Sequence, residues 1–125
     1  MDFLETLPPG CPPPEAKEIN SESFVYRLVK NNPPTMQDFQ SLRSRRPAGN
    51  FGIMSECHAR GLSVWANAES CENARRLTAL RTIPVCRIGL SEGAGYIQET
   101  FQLNHRTWWP LKAFDILDNC EMVQE

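Results

Sequence analysis

Seven consecutive residues near the end of the chain, 104–110, concentrate side chains that can bind or activate a ligand. Their histidine can exchange a proton near neutral pH, their arginine can bind phosphate or carboxylate, and their two tryptophans can stack on a flat ring. In an extended strand His105, Thr107 and Trp109 share one face, whereas Arg106 points to the other. The segment therefore predicts either a binding surface, with His105 as the candidate acid or base, or two tryptophans that pack in the core.

A second candidate cation lies on the first strand that the sequence predicts. Residues 23–29 are rich in aromatic and β-branched side chains, which are typical of strands. Arg27 falls between Val25 and Val29 on one face. A charge between two valines is either a long stem that reaches water or a cation held in a cleft. We expect Arg27 to contribute to the binding surface.

A serine and a tryptophan share one face of the second predicted strand, residues 61–66. Apolar residues alternate with them, so Ser63 and Trp65 face away from the core and are candidate ligand contacts. Asn67 can cap the helix that follows. The apolar stripe of that helix consists of Ala68, Cys71, Ala74, Leu77 and Leu80.

A shorter helix is predicted after Thr35, because Asp38 imitates the second partner of a capping box and apolar residues then recur at helical spacing. Residues 47–60 are predicted to form a loop. This loop holds Cys57 and His58, an adjacent thiol and imidazole. A catalytic pair needs converging side chains, and neighbours in an extended segment point apart, so packing is the expected role.

The remaining segments complete an α+β fold. We expect one mostly antiparallel sheet of four or five strands that carries two main helices. The later strands are predicted at residues 85–90, 96–101 and 120–123, with a short helix or a loop at 111–117.

The N-terminal part of the chain differs in composition from the rest. Residues 1–21 contain five prolines, which remove backbone donors and favour extended conformations, so we expect a proline-rich flexible arm. Residues 22–125 are long enough for a single domain with one core. The predicted division is therefore an arm followed by one α+β domain.

Charge is distributed unevenly along the chain. Residues 1–22 and 113–125 each carry a net charge of −4, whereas residues 23–112 carry +6. Ten of the 13 basic residues are arginine, which suits bidentate contacts with phosphate or carboxylate. The pattern predicts an anionic small molecule or a protein as partner, unless the acidic ends fold back on the body. Nucleic acid is less favoured, because no long basic run with interleaved aromatic residues occurs.

The five cysteines are widely and irregularly spaced, which does not resemble the disulfide framework of a secreted protein. No Cys-x-x-Cys pair indicates a zinc site. The first residues are acidic rather than apolar, and no apolar run has the length of a membrane span. These features predict a cytoplasmic protein with reduced thiols, no membrane association, and no evident metal or cofactor.

Three short motifs carry a resemblance to known proteins: Tyr26-Arg27, Gly61-Leu62-Ser63-Val64 and His105-Arg106-Thr107-Trp108. In order and spacing they resemble a loose group of small uncharacterised bacterial α+β proteins. In that group a Tyr-Arg strand, a Gly-Leu-Ser-Val strand before a helix, and a late His-x-Thr-Trp segment follow one another. The resemblance covers residues 24–123 and implies no particular activity.

A more remote resemblance concerns two of these residues. An arginine on the first strand and a serine on the second are similar to the layout of ADP-ribosyltransferase-like domains. That resemblance implies that Arg27 and Ser63 contact NAD, and that Trp65 or Trp109 stacks on one of its rings. The family also uses a late glutamate, for which Glu99 is the candidate, although no matching motif surrounds it.

The sequence leaves three functions open. The leading expectation is a small binding or interaction domain with an anion-binding cleft formed by Arg27, Ser63, Trp65, His105, Arg106 and Trp109. An alternative is a transferase or hydrolase acting on a nucleotide or nucleic acid, with NAD or a nucleotide as cofactor and His105 as acid or base. The third is a structural or assembly protein whose exposed aromatic residues form a homodimer contact.

Overall fold

The computed structural model describes residues 2–76 and 83–123, with residues 75 and 76 described by their backbone alone. These residues form one antiparallel sheet in the order β1-β5-β6-β3-β2-β4-β7. The strands are β1 (Lys17–Glu18), β2 (Ser23–Leu28), β3 (Leu62–Trp65), β4 (Val85–Leu90), β5 (Gly95–Glu99), β6 (His105–Pro110) and β7 (Cys120–Met122).

The α+β class and the antiparallel sheet are confirmed, but the predicted number of four or five strands is wrong. The described residues form seven strands. The strand without a local signal is β1, since Lys17 and Glu18 become a strand by pairing with Ile97 and Tyr96 on β5. That pairing is a tertiary contact, which a pattern within the N-terminal arm does not reveal.

Helices are short in the described part of the chain. The α-helices are α1 (Leu42–Arg45), α2 (Glu56–Ala59) and α3 (Ala68–Arg76), and 3-10 turns lie at Met36–Phe39 and Leu117–Asn119. The expectation of two main helices is therefore wrong, because among the described elements α3 alone exceeds about one turn. The segment 111–117, for which a helix or a loop was left open, is mostly irregular.

The helix predicted after Thr35 is divided in two. The backbone N–H of Thr35 donates to Asp38 Oδ2 at 2.9 Å, as the capping pattern predicted. However, Gln40 adopts an extended backbone with φ −99° and ψ 141°. Ser41 then starts α1, because its Oγ accepts from the backbone N–H of Ser44 at 3.1 Å. A serine that caps its own helix interrupts the apolar period that suggested one helix.

The loop predicted at residues 47–60 contains α2. Ser55 is its N-cap, since Ser55 Oγ accepts from the backbone N–H of His58 at 3.1 Å. The prediction for α3 fares better, because Asn67 Oδ1 accepts from the backbone N–H of Ser70 at 2.8 Å, as expected of a cap. Leu77 and Leu80, predicted for the stripe of this helix, lie outside the described residues.

The core fills one face of the sheet. Trp108 is fully buried there, and its Nε1 donates to the carbonyl of Ala94 at 2.9 Å, so the polar edge of the indole is satisfied. The other large core side chains come from several strands and the connecting segments: Val25, Val29, Phe39, Leu62, Val64, Ile88, Leu90 and Ile116.

The N-terminal arm is joined to the rest of the structure at several places. Besides the β1 pairing, the backbone N–H of Leu4 donates to the carbonyl of Pro110 at 2.9 Å. A disulfide bond links Cys11 to Cys57, which are separated by 46 positions. In the chain-entropy account, closing a loop of this length lowers the conformational entropy of the unfolded chain. The folded state is thereby stabilised by about 4 kcal/mol. The boundary predicted at residue 22 stays a prediction.

The disulfide corrects the prediction that all thiols are reduced. The spacing of Cys11 and Cys57 did not indicate pairing, because only the fold brings their Cα atoms to 5.5 Å. Cys71 and Cys86 are buried, and a hydrogen bond with Cys120, followed by burial, raises the pKa of the Cys86 thiol. Within the described ranges, no helix has the length and apolar character needed to cross a membrane.

Candidate functional site

The candidate site begins where two central strands separate. Within the described ranges β2 and β3 pair at a single position, Tyr26 with Trp65. Beyond it the guanidinium of Arg27 bridges the gap, because Nη1 donates to the carbonyl of Ser63 at 2.7 Å. The same group donates to two further carbonyls, from Nε to Asp38 at 2.9 Å and from Nη2 to Gln40 at 3.2 Å. Arg27 therefore replaces the missing strand hydrogen bonds.

Arg27 remains a cation in this position. Loss of solvation and the nearby Arg45 lower its pKa to about 10, which still leaves it protonated at neutral pH. Its three hydrogen bonds use three of the five N–H groups of a guanidinium. The side chain bridges the two strands and lies at the edge of a cavity.

Two adjoining cavities open at this bridge, and both are lined by Arg27, Gln40 and Arg45. The first, here called the histidine cleft, has a volume of about 250 Å³, and the second, the outer groove, about 490 Å³. Besides the shared three, the histidine cleft is lined by Leu42, Met54, His58, Gly61, Ser63, Phe101, His105 and Thr107. The outer groove adds Leu28, Lys30, Asn31, Gln37, Asp38 and Ser44.

Ser63 and His105 form a hydrogen bond at the wall of the histidine cleft, with 2.6 Å between Ser63 Oγ and His105 Nε2. The pairing of β3 with β6 brings them together, since Ser63 lies opposite Thr107. The other ring nitrogen, Nδ1, lies 3.2 Å from the carbonyl of Thr100, which can only accept. On this contact we assign the proton to Nδ1, so that Nε2 accepts from the hydroxyl of Ser63.

The surroundings of His105 favour its neutral form. The side chain is buried, and this burial lowers its pKa below the ordinary value near 6.5, with Arg106 adding to the effect and the Thr100 carbonyl opposing it. Trp65 packs its ring edge-on against the imidazole at a centroid distance of 4.9 Å. Trp65 thus holds His105 in place instead of lining the cleft.

His58 is a second imidazole in the cleft, although a packing role was expected for it from the sequence. Its Nδ1 lies 2.7 Å from Ser55 Oγ and its Nε2 lies 2.9 Å from Gln98 Oε1. Because that Gln98 oxygen accepts, Nε2 carries the proton and Nδ1 accepts from Ser55. The signal that could have revealed it is the Ser55-x-x-His58 spacing, which is typical of a capped first turn.

Aromatic rings follow one another along the cleft. Phe101 lies between His105 and His58, at centroid distances of 5.4 and 5.7 Å, and Trp109 lies 5.7 Å behind His58. Phe101 has a φ of 64°, a conformation that L side chains rarely adopt, and it is 63% exposed. The tight β5–β6 connection therefore holds an exposed aromatic ring at the entrance of the cleft.

A cluster of three charged side chains, Arg43, Glu56 and Arg60, joins α1 to α2. Arg43 donates to both carboxylate oxygens of Glu56 at 2.8 Å, and Arg60 donates to Oε2 at 2.8 Å. These bonds lower the pKa of Glu56 to about 2. Arg43 is thus bound to a carboxylate, whereas Arg45, on the same helix, faces the cavities. Among the described residues Arg45 forms no salt bridge.

Besides Trp65, two residues that the sequence associated with the site lie outside the histidine cleft. Arg106 points to the other face of β6 and lies opposite Glu99, with 3.8 Å between Arg106 Nη1 and Glu99 Oε1. Trp109 is 1% exposed and donates from Nε1 to the carbonyl of Cys57 at 2.9 Å. Its ring packs beneath His58, so the cleft does not reach it.

The structure thus brings together Arg27, Ser63 and His105, which the sequence identified separately. It adds Arg45 and His58, which were not among the predicted site residues. No group of three or more potential metal-binding side chains occurs in the part of the chain that the structure describes. A comparison with family models, curated proteins and solved structures finds no match.

Proposed function

We propose that this chain is a binding domain for a phosphate-bearing ligand of nucleotide type, with the phosphate between Arg27 and Arg45. The observation that carries the proposal is that both cations line the two adjoining cavities, where Arg45 also lowers the pKa of Arg27. Among its described lining residues the histidine cleft has no carboxylate to balance them. An anion with several oxygens is the partner that relieves this repulsion.

The shape of the site supports an extended ligand. The two arginines lie where the histidine cleft meets the outer groove, so a central phosphate group could extend flat rings into both cavities. Phe101 and His58 offer ring faces in the cleft, and Lys30 and Asn31 offer polar contacts in the groove. NAD, with two heterocycles joined by a pyrophosphate, has this arrangement of charge and rings.

A thermal-shift series with NAD, ADP and pyrophosphate tests the proposal. At ten times the dissociation constant, binding adds about 1.4 kcal/mol of stability. For a domain of this size that corresponds to a rise in Tm of roughly 4 to 8 °C. Arg45→Ala should abolish the shift, because it removes one of the two cations that bind the phosphate. Arg45 is exposed, so its removal leaves the fold unchanged. Arg27→Ala is less suitable, because it also removes hydrogen bonds to three backbone carbonyls.

Arg46 provides the matched control. It is the neighbouring exposed arginine, it lies next to the same helix, and it does not line either cavity. Arg46→Ala should keep the full shift. An unchanged Tm in wild-type protein with all three probes contradicts the proposal, as does an equal loss in the Arg45→Ala and Arg46→Ala variants.

A second candidate function is a transferase or hydrolase acting on a nucleotide, of the ADP-ribosyltransferase-like kind. The hydrogen bond between Ser63 and His105 favours it, because it places a proton acceptor at a hydroxyl inside the binding cleft. Glu99, the candidate for that family's late glutamate, is on the opposite face from the cleft. In this chain His105 would therefore supply the acid–base group. Incubation with NAD and detection of released nicotinamide tests this candidate, and an amount equal to that of a protein-free control contradicts it.

The structural or assembly role and membership of the bacterial group remain further proposals. Trp109 is buried, so a homodimer contact of exposed aromatic residues would have to form through other side chains. Light scattering at high protein concentration decides whether a dimer forms.

A cytoplasmic location also stays a proposal, and the Cys11–Cys57 bond weighs against it, because such bonds persist mainly in oxidising compartments. Alkylation of thiols at the moment of cell lysis, followed by mass measurement, distinguishes a reducing location from an oxidising one. Five alkylated cysteines indicate a reducing location.

A further inference from the structure

We propose that Ser63 is a nucleophile that attacks the phosphorus of a bound phosphodiester, with His105 as its general base. The class of substrate rests on the proposed function, whereas the reactivity of Ser63 rests on its own geometry. A nucleophilic serine needs an accessible hydroxyl, a base within hydrogen-bonding distance and a group that orients the base.

The hydroxyl of Ser63 is accessible and close to its base. Ser63 is exposed although it lies on a central strand, because β2 and β3 separate beside it. Its Oγ is 2.6 Å from His105 Nε2, within the range for direct proton transfer. Ser63 also lines the histidine cleft, so a bound ligand can reach its oxygen.

Contacts of Nδ1 and of the imidazole ring orient His105 as the base. The backbone carbonyl of Thr100 accepts from Nδ1, and the Thr100 hydroxyl lies 3.0 Å from the same nitrogen and 2.8 Å from Thr107 Oγ1. Trp65 packs against the ring. These contacts fix both the tautomer and the direction of the ring, which is the role of the third member in a nucleophile–base–orienter set. A carbonyl takes the place of a carboxylate.

Positive charge is available where negative charge would develop. Arg27 Nη1 is bonded to the carbonyl of Ser63 itself, so its guanidinium is beside the nucleophile, and Arg45 lines the same cleft. Cations fixed next to a phosphoryl group stabilise the charge on its oxygens during transfer. Ser63, His105 and the two arginines therefore combine a nucleophile, a base and a charge-stabilising environment.

The reaction balances without an external oxidant or reductant. Ser63 Oγ forms a bond to phosphorus, the bond from phosphorus to the leaving alcohol breaks, and the Ser63 proton passes to His105 Nε2 and then to the leaving oxygen. Water, deprotonated by His105, next attacks the phosphoserine and forms a phosphomonoester. The Ser63 oxygen recovers a proton from the imidazolium. The overall change is hydrolysis of one phosphoester bond.

Covalent labelling with diisopropyl fluorophosphate tests the proposal directly. The Ser63 oxygen should displace fluoride and retain the phosphoryl group, which peptide mass spectrometry assigns to a single residue. We expect labelling of Ser63 at least 100-fold faster than that of any other serine. His105→Gln should lower the rate by a factor of about 10² to 10⁴. Release of nitrophenolate from bis(4-nitrophenyl) phosphate should show a burst that Ser63→Ala abolishes.

Ser55→Ala is the control, because Ser55 also bonds an imidazole but does not line the cleft. Its labelling rate at Ser63 should equal that of wild type. Should His105→Gln fail to fold, the pH dependence of wild-type labelling replaces it. The proposal is overturned if Ser63 stays unmodified, if it reacts no faster than Ser55, or if no burst occurs. If NAD, ADP or pyrophosphate still raises the Tm of Ser63→Ala, the proposed binding function holds even when the nucleophile proposal fails.

Discussion

The two histidines that line the histidine cleft each form a hydrogen bond with a serine, and these two bonds differ in origin. Ser55 and His58 are three positions apart, within the first turn of α2, and Ser55 Oγ also accepts the backbone N–H that starts the helix. Ser63 and His105 are 42 positions apart and meet because β3 pairs with β6. The first pair is a consequence of helix capping, whereas the second depends on the whole sheet.

This difference shows that the hydrogen bond alone does not define a reactive serine. Ser55 is exposed, but its oxygen already serves the helix and lies outside the cleft. Ser63 is inside the cleft, next to Arg27, and its base has a buried ring whose pKa is lowered. Both pairs consist of a hydroxyl and an imidazole. They differ in the charge around them, in the burial of the imidazole and in the access of a ligand to the hydroxyl.

The largest effect expected from the comparison is in the pH dependence of labelling at Ser63. Because only neutral His105 can accept the Ser63 proton, the rate should fall about tenfold for each pH unit below the pKa of His105. Burial lowers that pKa, so the half-maximal rate should lie below pH 6.5. A half-maximal rate clearly above pH 6.5 would contradict the assignment of His105 as a desolvated base.

The lowered pKa of His105 also makes the free energy of unfolding depend on pH. The unfolded chain binds a proton at the ordinary histidine pKa near 6.5, whereas folded His105 binds it only at lower pH. Stability should therefore decline as the pH falls below about 6.5, and less so in His105→Gln. Chemical denaturation of both proteins at pH 7 and pH 5 measures the difference. An equal decline in both would remove His105 as its cause.

A smaller effect is expected from removing the two hydroxyl groups in turn. Ser55→Ala deletes the cap of α2 and should cost about 1 kcal/mol of stability while labelling at Ser63 continues. Ser63→Ala should change stability less, since its oxygen is exposed, but should abolish labelling. Urea unfolding and labelling of both variants give this crossed result. If the two variants lose stability equally, the distinction between a capping and a reactive serine fails.

Much of the sheet could be predicted from sequence, because strands such as Ser23–Leu28 and His105–Pro110 carry their own alternation of apolar and polar residues. Arg27, Ser63 and His105 also stood out by residue type. Their convergence did not, since it depends on the order of the strands and on the gap between β2 and β3.

Other features depended on contacts that no local pattern reveals. The Cys11–Cys57 bond joins two segments that no motif relates to each other. Arg43 and Arg45 lie on the same short helix, yet Glu56 binds Arg43 and leaves Arg45 at the cavities. Likewise Arg106 was associated with the cleft by its neighbours, although strand alternation directs it to the other face.

The tautomers of the two histidines test this account most directly. Long-range ¹⁵N–¹H correlation spectra at neutral pH distinguish a proton on Nδ1 from one on Nε2. His105 should carry its proton on Nδ1, bonded to the Thr100 carbonyl, and His58 should carry its proton on Nε2, bonded to Gln98. Opposite tautomers support the assignment of His105 Nε2 as the acceptor for Ser63. A proton on Nε2 of His105 would contradict it, since that nitrogen could then not take the proton of Ser63.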